Sequence, residues 1–161
     1  MEESDWPVSK IIKCEVTLTN YDPISGSSWI KAPKTLENKQ VLVNPHNNDK
    51  ECGRWSIISA FVNPTNHVNE MYHYNKITPS KLYELMGKPD HLTPNDDIFD
   101  VFQYSVTLNQ FEKFEKRSKL AINVYGWENN KATVLRVSKL PETCKRINLM
   151  LLEEDGKTHY C

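Results

Sequence analysis

The chain has 161 residues, of which 39% are hydrophobic, 10% aromatic and 25% charged, and its formal net charge at pH 7 is −1. This length and composition predict one ordinary globular domain over residues 1–161, with a core that needs no disulfide or metal. The near-zero charge disfavours nucleic-acid binding, and no apolar stretch of about 18 residues is present to span a membrane.

The beginning of the chain and its cysteines indicate the compartment. Residues 1–5 are acidic and lack the basic and apolar regions of a signal peptide, so we expect an intracellular protein, either cytoplasmic or nuclear. The cysteines lie far apart and form no CxxC pair; they are Cys14, Cys52, Cys144 and Cys161. In a reducing compartment we expect free thiols rather than two disulfides.

The first 36 residues predict a strand followed by a loop. Residues 10–19 (KIIKCEVTLT) alternate between apolar and polar side chains and are rich in β-branched residues, which predicts a strand. Prolines and a glycine then mark a loop. We assign residues 1–36 to this N-terminal strand and loop, and residues 37–161 to the core of the domain.

The middle of the chain predicts helices. A short strand at 39–43 enters the polar loop 44–51 (NPHNNDKE), and the apolar run 52–62 (CGRWSIISAFV) then predicts a buried helix that ends before a proline. Helix-start signals predict two further short helices, at 69–74 and 79–86.

The last third of the chain changes from helix to strand. Residues 107–117 (TLNQFEKFEKR) predict an amphipathic helix. Four strands follow, at 120–127, 133–138, 146–152 and 158–161. Early helices and a late antiparallel sheet predict the α+β class.

Cys52 is the candidate nucleophile because it stands at the first turn of a predicted helix, directly after a polar loop. A helix N-terminus presents unpaired amides and about half a positive charge, which favours a thiolate and can bind a developing oxyanion. The alternative is a buried structural thiol, since free cysteine is among the most frequently buried residues.

His159 is the candidate base because it enters on a late strand after a tight turn. A cysteine on an early helix and a histidine on a late strand is the order that papain-like folds require. Asp49, three residues before Cys52, is the candidate third catalytic residue, which would orient the imidazole. Its alternative role is to cap the helix.

Three further residues of the polar loop are candidates for oxyanion stabilisation or positioning: His46, Asn47 and Asn48. His46 lies six residues before Cys52 and could equally be an alternative base or a solvated loop residue. The rival chemistry is zinc binding, by Cys52, His46, His159 and Cys161. Because the paired spacing of zinc ligands is absent, we expect no metal and no other cofactor.

These residues resemble known families. Asp49-x-x-Cys52 with a distant His159-Tyr160 resembles ovarian-tumour-type deubiquitinases, and an Asn-rich loop before a Cys-bearing helix resembles viral papain-like leader proteases. A longer resemblance, over about residues 37–161, is to a region of Maverick/Polinton-type DNA transposons and related viruses that is found near protein-primed DNA polymerases.

In that region the loop runs roughly Asn-Pro-Gln-Asn-x-Asp-x-x-Cys-Phe-x-Trp, and a His-Tyr-Cys follows near the end. This chain matches at Asn44, Pro45, Asn47, Asp49, Cys52, Trp55, His159, Tyr160 and Cys161. It departs at His46, where the family tends to glutamine, and at Gly53, where the family tends to phenylalanine.

The resemblance implies a papain-like α+β fold, with a helix that carries Cys52 and a late antiparallel sheet that carries His159. It also implies a viral or mobile-element origin. The Cys52–His159 arrangement and its likeness to deubiquitinases lead us to expect a cysteine peptidase or isopeptidase, deubiquitinase-like, that acts on a protein or ubiquitin-like substrate. Papain-type enzymes place an oxyanion glutamine six residues before their cysteine. His46 at that position leaves open a catalytically inactive interaction module on the same scaffold. A DNA-associated accessory role would need a basic surface patch, which the composition disfavours.

Overall fold

The computed structural model describes residues 25–26, 29–37 and 42–161. The predicted strand at 10–19 and Cys14 lie outside the described residues, and the described part of the strand predicted at 39–43 is irregular. Within the described ranges, short helices precede a four-stranded sheet, which confirms the mixed α+β class. None of the helices found there combines the length and the apolar character that crossing a bilayer would require.

The helices form near the predicted positions. They are α1 (Lys34–Glu37), α2 (Cys52–Ser59), a 3-10 helix (Met71–His73), α3 (Pro79–Leu85) and α4 (Gln110–Ser118). α2 begins at Cys52 as predicted, but it ends before residue 62 because the N–H groups of Ala60 and Phe61 bond three residues back, which tightens the last turn.

α4 begins later than the sequence predicts because the residues before it form a strand. Val106–Thr107 is β2, which pairs antiparallel with β1, formed by Ser25–Gly26. This pairing joins segments about 80 residues apart, so no local pattern encodes it. α4 itself buries Phe111 and Phe114 completely, as its amphipathic pattern predicts.

The late strands form one sheet. They are β3 (Ala121–Glu128), β4 (Lys131–Arg136), β5 (Arg146–Glu154) and β6 (Lys157–Tyr160), in the spatial order β4-β3-β5-β6. β3 pairs antiparallel with β4, and β5 pairs antiparallel with β6, but β3 and β5 are parallel. The prediction of an antiparallel sheet is therefore wrong for the central pair, and the sheet is mixed.

The burial pattern explains this arrangement. The first four residues of β3, at 121–124, are all buried, so this strand needs a neighbour on each side. β4 is largely exposed and suits an edge. The segment 137–145 therefore carries the chain past the beginning of β3 to its other side, and β5 runs in the same direction as β3.

Apolar side chains collect on both faces of the sheet. The larger cluster includes Cys52, Phe111, Leu151 and Tyr160, and the smaller cluster consists of buried Ile30, Ala32, Leu36, Leu152 and Cys161 with their neighbours. Successive residues of β6 alternate between the two faces.

Candidate active site

The N-terminus of α2 lies against the outer edge of β6. Cys161 exchanges two backbone hydrogen bonds with Met150 of β5, at 2.9 and 2.7 Å, so the N–H and C=O of the preceding residue point away from β5. There the Sγ of Cys52 accepts a hydrogen bond from the Tyr160 N–H at 3.5 Å, and the Ser56 hydroxyl donates to the Tyr160 carbonyl oxygen at 2.7 Å. Two side chains of α2 thus satisfy the strand edge, and they hold the sulfur beside the backbone that carries the candidate base.

The thiol of Cys52 is fully buried, and this burial governs its chemistry. No side-chain oxygen caps the start of α2, so its first N–H groups are available to the sulfur. Burial nevertheless raises the pKa of Cys52 to about 12, because it outweighs the hydrogen bonds from the backbone N–H groups of Tyr160 and Gly53. In this closed arrangement Cys52 is a protonated thiol at neutral pH, whereas the helix terminus alone predicts a thiolate.

The imidazole of His159 projects from the opposite face of β6 to the Tyr160 ring. It is fully buried, and its Nε2 lies 2.7 Å from Asn44 Oδ1. The Asn44 amide is oriented by its own Nδ2, which donates to the Ile30 carbonyl oxygen at 2.9 Å. The backbone N–H of Asn44 also donates to Asn69 Oδ1 at 2.9 Å. The amide oxygen therefore faces the ring, and Nε2 is the ring nitrogen that donates.

Asn44 is the described partner of the candidate base, and its sequence position did not indicate this contact. It precedes its partner by 115 positions, and it stands in a loop with two other asparagines, so no local pattern distinguishes it. The available signal was its place among the positions shared with the transposon-encoded region.

Asp49, the predicted orienting residue, holds the polar loop against α2. Its carboxylate accepts from the Trp55 indole N–H at 3.0 and 3.1 Å, from the Glu51 backbone N–H at 2.8 Å and from the Asn47 side-chain amide at 2.9 Å. Asp49 therefore holds Glu51, the residue that precedes α2, but none of its described contacts is to a backbone N–H group of the helix itself, so the predicted cap is not formed there. The described contact that orients the imidazole comes from the first residue of the same loop.

The other loop candidates lie in different surroundings. His46 is exposed, with its ring edge-on to Trp29 at a centroid distance of 4.8 Å and its Nδ1 3.7 Å from the Glu70 carboxylate. Asn47 is buried and Asn48 is exposed. The oxyanion role stays a prediction for all three residues, and the described partners of His46 are not the thiol.

The proposed zinc ligands do not converge. Cys161 lies in the smaller cluster, where its thiol contacts the Met150 carbonyl oxygen at 3.5 Å and burial raises its pKa. In the described part of the chain, no group of three or more His, Cys, Asp or Glu side chains is placed to hold a metal ion.

A cavity of about 560 Å³ opens beside the orienting residue. It is lined by Trp29, Leu42, Val43, Asn44, His46 and Asn69, among others. Asn44 is therefore the member of the candidate site that the cavity reaches, since neither Cys52 nor His159 is among the lining residues.

Comparisons with known protein families, with curated proteins and with solved structures found no match for this chain.

Proposed function

We propose that the chain is a thiol hydrolase of the papain type, in which Cys52 is the nucleophile, His159 the base and Asn44 the residue that orients the imidazole. The observation that carries the proposal is the 2.7 Å contact between His159 Nε2 and Asn44 Oδ1, on the strand whose edge holds the Cys52 sulfur. A nucleophile, a base and a group that orients the base are the three parts of a covalent catalytic site.

The orientation of the Asn44 amide supports this division of roles. Because Nε2 of His159 donates to Asn44, a neutral ring has its lone pair on Nδ1. Nδ1 is then the atom that takes the thiol proton, and Asn44 stabilises the imidazolium that results.

The reaction proceeds in two balanced steps. The Cys52 sulfur attacks the acyl carbon of an amide, its proton passes through His159 to the leaving nitrogen, the C–N bond breaks and a thioester forms. Water then attacks the thioester, His159 takes a proton from that water and returns it to the sulfur, and the acyl group leaves as a carboxylic acid. The backbone N–H groups at the start of α2 are suited to stabilise the oxyanion in both steps.

The proposed substrate is a peptide or isopeptide bond in a protein or ubiquitin-like molecule, and it rests on the likeness of the Cys52 and His159 motifs to deubiquitinases and viral proteases. The longer resemblance suggests an origin in a virus or mobile element. The contact of His159 with Asn44, and the contact of Cys52 with the strand that carries His159, support the assignment of these residues.

A second candidate function is a non-catalytic interaction module on the same scaffold. The observation that favours it is the closed thiol: Cys52 has no solvent exposure, and burial raises its pKa to about 12. In this alternative, Cys52, His159 and Asn44 only join α2, β6 and the polar loop.

The two candidates differ in whether the reactivity of Cys52 depends on His159. We would measure the rate at which a peptidyl vinyl sulfone labels each cysteine, by mass spectrometry, in the full chain and in His159→Ala. Because the buried imidazole also stabilises the fold around Cys52, the urea midpoints of the two proteins are measured alongside the labelling rates. For an enzyme we expect His159→Ala to slow Cys52 labelling by about 100-fold, the contribution typical of a general base.

Two controls complete this measurement. His73→Ala removes a histidine whose Nε2 lies 3.0 Å from the Asn66 carbonyl oxygen, in a different segment, and should leave Cys52 labelling unchanged. Cys144, which is partly exposed, reports on the reagent itself. Equal Cys52 labelling with and without His159 would exclude the hydrolase and leave the interaction module.

A further inference from the structure

The backbone at Gly26 lies beside the candidate nucleophile. A Cβ built on Gly26 would stand 2.8 Å from the Cys52 sulfur and 2.3 Å from Cδ2 of Tyr160. Real Cβ atoms essentially never come within 3.0 Å of a heavy atom outside their own residue and its chain neighbours, so this position is too tight for any residue other than glycine. The Tyr160 ring cannot easily move aside, because it is fully buried and packs edge-on against Phe111 at 5.4 Å.

Gly26 lies in a narrow space between β2, β6 and the start of α2, which we call the slot. On one side β1 pairs antiparallel with β2, where Gly26 is opposite Val106. On the other side β1 packs against β6. The third side is the start of α2. The absence of a side chain at Gly53 lets α2 pack closely against β2, since a Cβ on Gly53 would lie only 3.3 Å from Val106 Cγ2. An extended backbone with a glycine beside the sulfur therefore fits this slot.

An extended peptide paired with a strand beside a nucleophile is also the way in which a peptide substrate binds by β-augmentation. Ser25–Gly26 has both features of such a ligand, since it adds a strand to β2 and its glycine lies against the sulfur. Main-chain hydrogen bonds supply affinity in this mode, and the lack of space for a Cβ supplies selectivity.

We propose that Ser25–Gly26 occupies the substrate slot as a pseudosubstrate, and that the slot selects extended peptides with glycine at the residue beside the thiol. Ser25–Gly26 then covers the thiol until these two residues are displaced. The substrate role of the slot rests on the proposed hydrolase. The covering of the Cys52 thiol by Gly26 can be tested without any catalytic activity.

The first experiment tests the closure in the full chain. Gly26→Ala adds one methyl group at the contact point and should displace β1, so that iodoacetamide labels Cys52 faster by roughly tenfold or more, the size that one overpacked methyl group gives. Cys161, buried in the cluster on the other face, serves as an internal reference and should keep its rate. An unchanged Cys52 rate in a folded Gly26→Ala protein would overturn the inference.

A matched glycine separates local displacement from general loosening. Gly126 is also buried, and a Cβ there would lie 2.9 Å from Thr133 Oγ1, but it belongs to β3 and β4 rather than to the slot. Gly126→Ala should therefore lower the urea midpoint without accelerating Cys52 labelling. Equal acceleration in both variants would mean that Gly26 has no special relation to the thiol, and would overturn the inference.

The second experiment tests the selectivity. Acetyl-Ile-Ser-Gly vinyl sulfone copies the chain up to residue 26, and its alanine counterpart differs by one methyl group. The thiol adds to the vinyl carbon, forming an S–C bond, and its proton ends on the neighbouring carbon. In Gly26→Ala, where the slot is vacated, we expect the glycine probe to label Cys52 at least roughly tenfold faster than the alanine probe.

The outcomes distinguish the two proposals. Accelerated iodoacetamide labelling of Gly26→Ala together with a glycine preference that His159→Ala slows supports both. Accelerated iodoacetamide labelling with no effect of His159 supports the closure and excludes the hydrolase. Equal rates for the glycine and alanine probes overturn the selectivity, whatever the role of His159.

Discussion

Two buried polar groups among the described residues, the Glu115 carboxylate and the Cys52 thiol, respond differently to the loss of solvent. Glu115 on α4 is only 4% exposed, and its carboxylate accepts from the Arg136 guanidinium at 2.7 and 2.9 Å and from the Ile122 N–H at 2.7 Å. Burial alone would raise the pKa of Glu115, but these donors hold it below its ordinary value. For Cys52, burial prevails and the pKa rises to about 12.

The difference lies in the partner. Glu115 faces a full positive charge, which compensates the loss of solvation, whereas the favourable partners of Cys52 are backbone N–H groups and the nearby Asp49 carboxylate opposes its ionisation. The contact between Glu115 and Arg136 therefore joins α4 with the sheet through paired charges. The thiol of Cys52 is held in its neutral form by burial.

The largest loss of folding stability is expected at Glu115, whose buried negative charge is paired with Arg136. Glu115→Ala leaves the largely buried Arg136 guanidinium without its carboxylate, so we expect the free energy of unfolding to fall by about 3 kcal/mol. Urea denaturation followed by circular dichroism measures this change. Glu112→Ala on the same helix is the matched control, because its pair with Lys116 is exposed and its loss should be barely measurable. Similar losses in the two variants would contradict the structural role assigned to Glu115.

A smaller loss of stability and a larger loss of reactivity are expected at Asn44. Asn44→Ala removes the acceptor of His159 Nε2 and should cost about 1–3 kcal/mol, the range for leaving a buried polar group without its hydrogen bond. It should also slow vinyl sulfone labelling of Cys52, because the imidazole loses its orientation. Asn48→Ala, at an exposed position of the same loop, should change neither quantity. Unchanged labelling in Asn44→Ala would remove Asn44 from the catalytic group.

The smallest of the expected effects is the loss of stability between pH 9 and pH 10. The pKa of Cys52 rises from its ordinary 9.0 in the unfolded chain to about 12 in the folded protein, so the folded state binds the proton more tightly. The resulting stability is fully present below pH 9 and is lost as the pH rises towards 12, and about 1 kcal/mol of it is lost between pH 9 and pH 10. Cys52→Ala should show a correspondingly shallower decline in urea midpoint between pH 9 and pH 10. Parallel declines in the two proteins would mean that the thiol is not buried.

Local patterns predicted much of the secondary structure. The apolar run after residue 51 predicted a helix that begins at Cys52, and alternation predicted all four strands of the sheet within a few residues. The sequence also indicated Cys52 and His159 as candidates, because a helix start and a late strand are both visible locally, and their catalytic roles stay predictions. It did not identify the parallel pairing of β3 with β5, since the order of strands depends on which of them is buried on both sides.

The remainder of the site depends on long-range contacts. Asn44 and Asp49 stand in one loop, and either could reach an imidazole; only the packing of the loop against Ile30 and Trp55 separates their roles. The sequence around Gly26 predicted only a loop. Its contact with Cys52 arises because β1 pairs with β2, and that pairing has no signature in either segment.

The attachment of α2 to the edge of β6 has a consequence for the synthesis of the protein. The hydrogen bond between Cys52 and Tyr160 spans 108 positions, so a growing chain exposes the cysteine well before it has the strand that covers it. At about 5–20 residues per second, that interval lasts roughly 5–20 seconds. The thiol is therefore most open to oxidation or acylation on the ribosome, and a modification acquired there would block the docking of the last strand.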